Sequence, residues 1–177
     1  MVDVVPEGWP HQAFLASDRL RLEPVEVAHA EAMEQVLADP VLYEVIGGEP
    51  PTAPQLRERY GRWQTPRSAD GAEGWLNWIV FRAEDDAAVG TVQATITLVG
   101  QGARAELAWV VGSSFQRRGF AVEATGRVIR WLADHDVVTL CAHVARGHTA
   151  SERVAAKLGM VPTDVVVDGE RRWIAPE

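Results

Sequence analysis

The stretch ELAWVVGSSFQRRGFAVEATGRVIRWL, residues 106–132, decides how the chain folds. A strand-like apolar run ends at Gly112, two serines follow, and Gln116-Arg117-Arg118-Gly119 leads straight into an amphipathic pattern. There Ala121, Ala124, Val128 and Leu132 recur three or four residues apart, which predicts a helix. A helix opening directly behind a strand leaves its first backbone N–H groups without internal partners. Their partial positive charge suits an anion. Gly119 lets the main chain approach such a ligand, because no side chain intervenes. Hydrogen bonds to a charged group contribute about 1.5 to 3 kcal/mol each, whereas an exposed ion pair contributes roughly 0 to 1. The backbone therefore outweighs Arg117 and Arg118 as the gripping element. On residues 116–121 alone, an ordinary turn carrying surface arginines fits as well.

Other phosphate loops do not fit. A Walker loop needs Gly-Lys-Ser/Thr, and the single lysine, Lys157, stands in Ala156-Lys157-Leu158. No Gly-x-Gly-x-x-Gly is present.

Around this stretch the pattern is mixed. FLASDRLRLEP reads as a first strand, with Leu20 and Leu22 alternating against Arg19, Arg21 and Glu23. Ala30, Met33 and Leu37 have helical spacing up to Asp39-Pro40. A loop rich in glycine and proline (residues 43–54) leads to a second helix near Gln55 to Gln64. Three strand-like runs follow, NWIVFRA, AVGTVQATITLVG and ARAELAWVVG, the last two joined through Gly100-Gln101-Gly102. Beyond the central helix, VVTLCAHVA reads as a strand buried on both faces. HTASERVAAKLG reads as a helix with Thr149 and Glu152 at capping-box spacing and Gly159 as its stop. The chain closes on two short strands about Asp168-Gly169. Such an order predicts an α/β domain with a mostly antiparallel sheet.

With 177 residues, 47% of them apolar, the chain reads as one domain over 1–177, residues 1–13 being an N-terminal extension. The net charge of −8 argues against nucleic acid as a partner and is compatible with a cationic substrate. Cys141 is the only cysteine, so no intramolecular disulfide forms. The opening MVDVVPEGWP has no signal-peptide pattern, and no run is long enough to span a membrane. A cytoplasmic location is expected.

Gln116-x-x-Gly119-x-Ala121, placed between a strand and a helix, resembles the acetyl-coenzyme A motif of the GNAT N-acetyltransferase superfamily. RLRLEPVEVAHAEAMEQVLADP is similar to the first strand and helix of its RimJ/RimL-like branch, and TASERVAAKLGM to its second cofactor segment. The likeness runs over about residues 14–175. It implies a mixed, mostly antiparallel sheet of about seven strands flanked by about four helices, splayed between the two central strands near 106–111 and 138–145. It also implies a cofactor, acetyl-coenzyme A. The main chain of Trp109, Val110 and Val111 would pair with the pantetheine arm. The turn Gln116, Arg117, Arg118, Gly119, Phe120 and Ala121 would hold the pyrophosphate, and Ser151 would lie near the sulfur. His148 stands where the family commonly has asparagine, and Met160 where it has an aromatic residue.

The chemistry implied is acetylation of a primary amine, on a protein N-terminus or a small molecule, by direct attack in a ternary complex. A lysine-like amine titrates near ~10.4 and an α-amine near ~8, so the amine must first lose a proton. Glu106 is the candidate base, since an apolar strand would desolvate it; its other reading is an edge carboxylate pairing with Arg104. Ser151 is the candidate acid, and equally a cofactor contact or part of the helix start. The late tyrosine that many relatives use is missing, as Tyr43 and Tyr60 both come early. Val111 N–H suits the carbonyl oxygen. Cys141 and His143 share one strand face and read as a core thiol and core histidine ahead of a nucleophile pair or a metal site; no metal is expected. Trp63, Trp75 and Trp78 read as core ahead of a substrate groove. The substrate is expected between a loop near Val45 to Pro54, with Glu44 and Glu49, and the final hairpin. A homodimer is compatible with this reading. The rival reading is a non-catalytic acyl-coenzyme A sensor, which would keep the turn and lose the acid–base groups.

Overall fold

The computed structural model describes residues 11–99, 102–137 and 139–176. Ten residues of the expected N-terminal extension, Gly100 and Gln101 of the expected turn, and Val138 of the expected strand lie outside the described residues. Eight strands form one sheet: β1 (Leu15–Ala16), β2 (Leu20–Pro24), β3 (Glu73–Arg82), β4 (Ala88–Val99), β5 (Gly102–Val111), β6 (Thr139–Ala145), β7 (Val161–Val167) and β8 (Glu170–Ile174). Five α-helices accompany them: α1 (Ala30–Val36), α2 (Tyr43–Ile46), α3 (Ala53–Trp63), α4 (Phe120–Ala133) and α5 (Thr149–Lys157). The sheet order is β1-β2-β3-β4-β5-β6-β8-β7, and every neighbouring pair is antiparallel except β5 and β6.

The mixed sheet and its central splay agree with expectation. The counts differ by one each. FLASDRLRLEP is not a single strand, because Ser17 N–H bonds back to the Leu20 carbonyl at 2.9 Å and folds it into β1 and β2. The loop after Asp39 carries the short helix α2. The hairpin at Asp168-Gly169 forms as read, with both residues left-handed (φ 51° and 84°), the geometry that a two-residue β-turn demands.

Two cores sandwich the sheet. On one face α4 buries Ala124, Val128, Trp131 and Leu132 against Leu20, Leu22, Trp78, Val92, Ala105 and Leu107. Each large aliphatic chain so buried contributes roughly 1.5 to 3 kcal/mol. Ala121, expected on this stripe, is only half-buried and turns elsewhere. On the other face α1 and α3 bury Met33, Leu56 and Tyr60 against Ile79 and Phe81. Thr52 starts α3, its Oγ1 accepting from Gln55 N–H while the Gln55 side chain accepts from Thr52 N–H. The capping box expected at Thr149 is not formed. His148 is the capping residue of α5 instead, and Glu152 accepts from Gly147 N–H at 3.4 Å.

Two contacts fix where β5 ends and α4 begins. A bulge at Val89 shifts the β3–β4 register and brings Gly90 so close to β5 that a Cβ there would lie 2.0 Å from the Val110 carbonyl oxygen. At the start of α4, Glu123 accepts from Ser17 Oγ (2.7 Å), Arg19 N (3.0 Å) and Arg19 Nε (2.7 Å), tying the helix to the β1–β2 turn. Partial burial works to raise the Glu123 carboxyl's pKa, but these donors outweigh it and hold the pKa below its ordinary 4.5.

Gly90→Ala is expected to lose about 1 to 3 kcal/mol or more of stability in urea unfolding, because backbone and not a flexible side chain must give way. For Glu123 the depressed folded-state pKa means stability present above about pH 4.5 and lost as the pH falls through the folded value. Thermal unfolding from pH 7 to pH 3 is expected to show a smaller acid-side drop in Glu123→Gln than in the wild type.

Candidate active site

β5 and β6 run side by side only from Arg104 opposite Thr139 to Leu107 opposite Ala142. Beyond that point the strands part. The β5 edge over residues 108–111 therefore has β4 on one side and no strand on the other. This explains a burial pattern that the sequence did not suggest. Of the apolar run, only Ala105 and Leu107 are buried, while Ala108 is exposed and Trp109, Val110 and Val111 are half-exposed. Trp109, Val110 and Val111 pack against the edges of the two cores and also line a cleft of about 520 Å³.

The turn after β5 closes one end of the cleft. A 3-10 turn (Ser113–Phe115) follows Gly112, whose N–H bonds to the Val89 carbonyl at 2.9 Å. Gln116 Nε2 donates to the Val111 carbonyl at 3.1 Å and pins the turn to the strand end. Arg117 and Gly119 both adopt left-handed conformations (φ 60° and 81°). Backbone of this kind turns successive N–H groups to a common side. The N–H groups of residues 117–122 meet no acceptor among the described residues, and the first outward bond of α4 is Glu123 N–H to the Gly119 carbonyl at 3.0 Å. The bend is thus open, and its donors suit a diphosphate.

The cleft gathers most of the residues singled out in the sequence. Trp109, Val110, Val111, Gln116, Arg117, Gly119, Phe120 and Ala121 line it from one side, His148 and Ser151 from α5 across the gap. His148 N–H donates to the Ala145 carbonyl at 3.0 Å, while its ring makes no hydrogen bond to the described residues and is available to a ligand. Arg118 and Glu106 are the exceptions, neither lining the cleft. For Arg118 the reason is local. Its guanidinium lies 5.9 Å from the Phe115 ring centre, and its carbonyl accepts from Arg19 Nη1 at 3.1 Å.

Glu106 stands below the fork, on the sheet face away from α4. Its side chain is 46% exposed and not buried in the strand as the apolar run suggested. Nor does it pair with Arg104; its Oε1 lies 2.8 Å from His143 Nδ1. Cys141, directly across from Glu106, is buried, and burial together with that carboxylate pushes its thiol pKa above the usual value. A protonated, inaccessible thiol is a poor nucleophile. Among the described residues no group of three or more His, Cys, Asp and Glu is arranged to hold a metal ion. Trp78 is core, with its Nε1 bonded to the Ala13 carbonyl at 2.8 Å.

The expected substrate loop supplies the facing wall with Glu44, Val45 and Ile46, and Val41 and Leu42, which the sequence did not single out, extend it. These residues lie in and before α2, opposite β5, and Val41, Val45 and Ile46 are exposed there. Asp39 anchors this segment. The Ser113 hydroxyl and the Val41 N–H hold its carboxyl below the ordinary carboxylate range. Val41 and Leu42 follow Asp39-Pro40 and precede the expected loop, so its glycines and prolines did not mark them. Neither tyrosine lines the cleft: Tyr43 OH donates to the Leu37 carbonyl at 3.0 Å, and Tyr60 is buried between α3 and the sheet, with its phenol pushed up to about 12 by burial. No helix among the described residues is long and apolar enough to cross a membrane.

The family profile described as "Acetyltransferase (GNAT) domain" matches residues 19–161. No curated protein matches the sequence. Among solved structures, an acetyltransferase of Thermus thermophilus is similar with a TM-score of 0.70 at 19% identity, over 93% of this chain and 100% of that one. The ribosomal protein α-N-acetyltransferase RimL, in complex with coenzyme A, superposes with a TM-score of 0.70 at 12% identity over 92% and 97% of the two chains. Spermidine N-acetyltransferase from Vibrio cholerae, in complex with coenzyme A and spermine, gives 0.67 at 17% identity over 89% and 94%. A profile match over most of the chain, on a sheet that parts where that family holds its cofactor, places this protein in the GNAT acetyltransferase family, with acetyl-coenzyme A as its cofactor.

Proposed function

We propose that the protein is an N-acetyltransferase of the RimJ/RimL-like branch that acetylates a primary amine by direct attack in a ternary complex. The observation that carries this reading is the open bend at residues 117–122, set at the end of the unpaired β5 edge and across from Ser151. The branch assignment draws on the first strand and helix of the sequence and on the likeness to RimL. The choice of amine draws on Glu44 at the cleft wall and on the net charge of −8, both suited to a cation.

When bound, acetyl-coenzyme A supplies an activated acyl carbonyl and a thiolate leaving group. The chain's own contributions are separate. Backbone donors from Arg117 to Ala121 hold the diphosphate; three such bonds at about 1.5 to 3 kcal/mol each make up much of the roughly 8 kcal/mol of a micromolar ligand. The β5 edge at Trp109, Val110 and Val111 aligns the pantetheine arm as a further strand would, and Val111 N–H is the donor suited to a developing oxyanion. His148 contacts the arm from α5. Ser151 offers its hydroxyl proton at the sulfur end, and Glu106 provides the carboxylate that drives removal of the amine proton. The acceptor enters over the open sheet face between the α2 segment and the β7–β8 hairpin, where Val41, Val45 and Ile46 form an apolar margin.

Calorimetric titration with coenzyme A tests the grip. Gly119→Val is expected to weaken binding more than tenfold, because a β-branched residue resists φ 81° and moves the N–H groups; Arg117→Ala is expected to cost less than threefold. A larger loss from the arginine variant would sink the main-chain account. A thiol-release assay over polyamines, amino acids and peptides with free N-termini is expected to give turnover. Coenzyme A binding without turnover over that panel would turn the reading to a non-catalytic sensor.

A further inference from the structure

The two strands at the fork carry a histidine–carboxylate pair whose free end has no partner. Glu106 lies in the second-last paired position of β5, and His143 is the first residue of β6 past the ladder. Their side chains share the sheet face opposite α4, with His143 Nδ1 2.8 Å from Glu106 Oε1. The His143 side chain is only 16% exposed and the Glu106 side chain 46%. A ring nitrogen facing a carboxylate carries the proton of the neutral ring, which leaves the lone pair on the other nitrogen. That other nitrogen, His143 Nε2, has no hydrogen-bond partner among the described residues.

The surroundings on that face are few. From β5 come Glu106 and Arg104, from β6 Cys141, and from β8 Arg172, directly across from His143, with Glu170 two pairs further on. The Arg172 Nε is buried and has no acceptor. As a class, imidazoles hold a proton closer to the working range of an amine than carboxylates do. Proton transfer is most efficient when the base is matched to the working pH.

We propose that His143 Nε2 takes the proton from the acceptor ammonium, with Glu106 as the positioning residue that fixes the ring's tautomer and orientation. The ammonium N–H bond breaks, its electron pair stays on nitrogen, and an Nε2–H bond forms. The resulting imidazolium is balanced by the Glu106 carboxylate. This rests on the amine-acetylation reading and refines it: Glu106 acts through the ring and does not meet the amine itself.

Long-range 1H–15N spectra of the full chain with labelled histidine, assigned with His143→Gln, read the tautomer without turnover. The neutral His143 ring is expected to carry its proton on Nδ1, and Glu106→Gln to shift it toward Nε2. In kinetics with acetyl-coenzyme A and either spermidine or a tetrapeptide with a free α-amine, His143→Gln is expected to lower kcat about 100-fold or more, with coenzyme A affinity within twofold of wild type. The fall in rate on the acid side, between about pH 5 and 8, is expected to be lost with it. Glu106→Gln is expected to lower kcat less than His143→Gln while keeping a titrating limb. A wild-type ring protonated on Nε2, or a His143→Gln rate within threefold of wild type, overturns the proposal. Failure of the wild type to turn over either amine is a different result, and it sinks the amine reading itself.

Discussion

Four residue pairs of parallel ladder hold β5 to β6, and the working parts of the molecule lie around the point where that ladder stops. A longer pairing would close the sheet and satisfy the β5 edge over residues 108–111 with protein. No pairing would leave the halves of the sheet unconnected, since β6, β8 and β7 reach the rest of the sheet only through β5. The short ladder is what leaves backbone polar groups facing a cleft inside an otherwise well-packed domain. Unmet main-chain groups are costly unless a ligand or water completes them. The fork is therefore both the weak seam of the sheet and the place where it can take up a ligand.

The bend behind β5 follows the same logic. Its geometry is set by neighbours that never touch the cleft: Gly90 allowing β4 to press on Val110, Gly112 N–H held by Val89, and Glu123 bound to Ser17 and Arg19. Gln116 spends its amide on the Val111 carbonyl and shapes the turn from within. Arg117 holds a left-handed conformation that non-glycine residues adopt at some strain. Such strain persists only where surrounding contacts enforce it, and here they come from both flanks.

Much of this was legible in the residues and some was not. The strands around β3 and β4, the central helix and the closing hairpin followed from apolar spacing and from Asp168-Gly169. The bend announced itself through Gly119 between a strand and a helix. Two kinds of information were missing. The apolar residues from Ala108 to Val111 read like the buried Leu107 before them, because a strand that lines a cleft and a strand that lines a core use the same residues. The partner of Glu106 was out of reach as well, since His143 comes 37 positions later and meets it only through the β5–β6 register. The helix start at α5 misled for a local reason, because Thr149 has capping chemistry while the chain turns at His148. The loop near Val45 was expected beside the substrate, whereas Val41 lies before it and only the fold brings that residue to the cleft.

Arg118 draws out a last consequence. Its side chain leans on Phe115 and leaves the cleft, although its amide belongs to the row of N–H groups without an acceptor among the described residues. A grip made of peptide groups is indifferent to what the side chains at its rim are. Evolution can recolour that rim, changing charge or bulk at such a position to suit solubility or a neighbour, while the molecule goes on recognising the same small ligand.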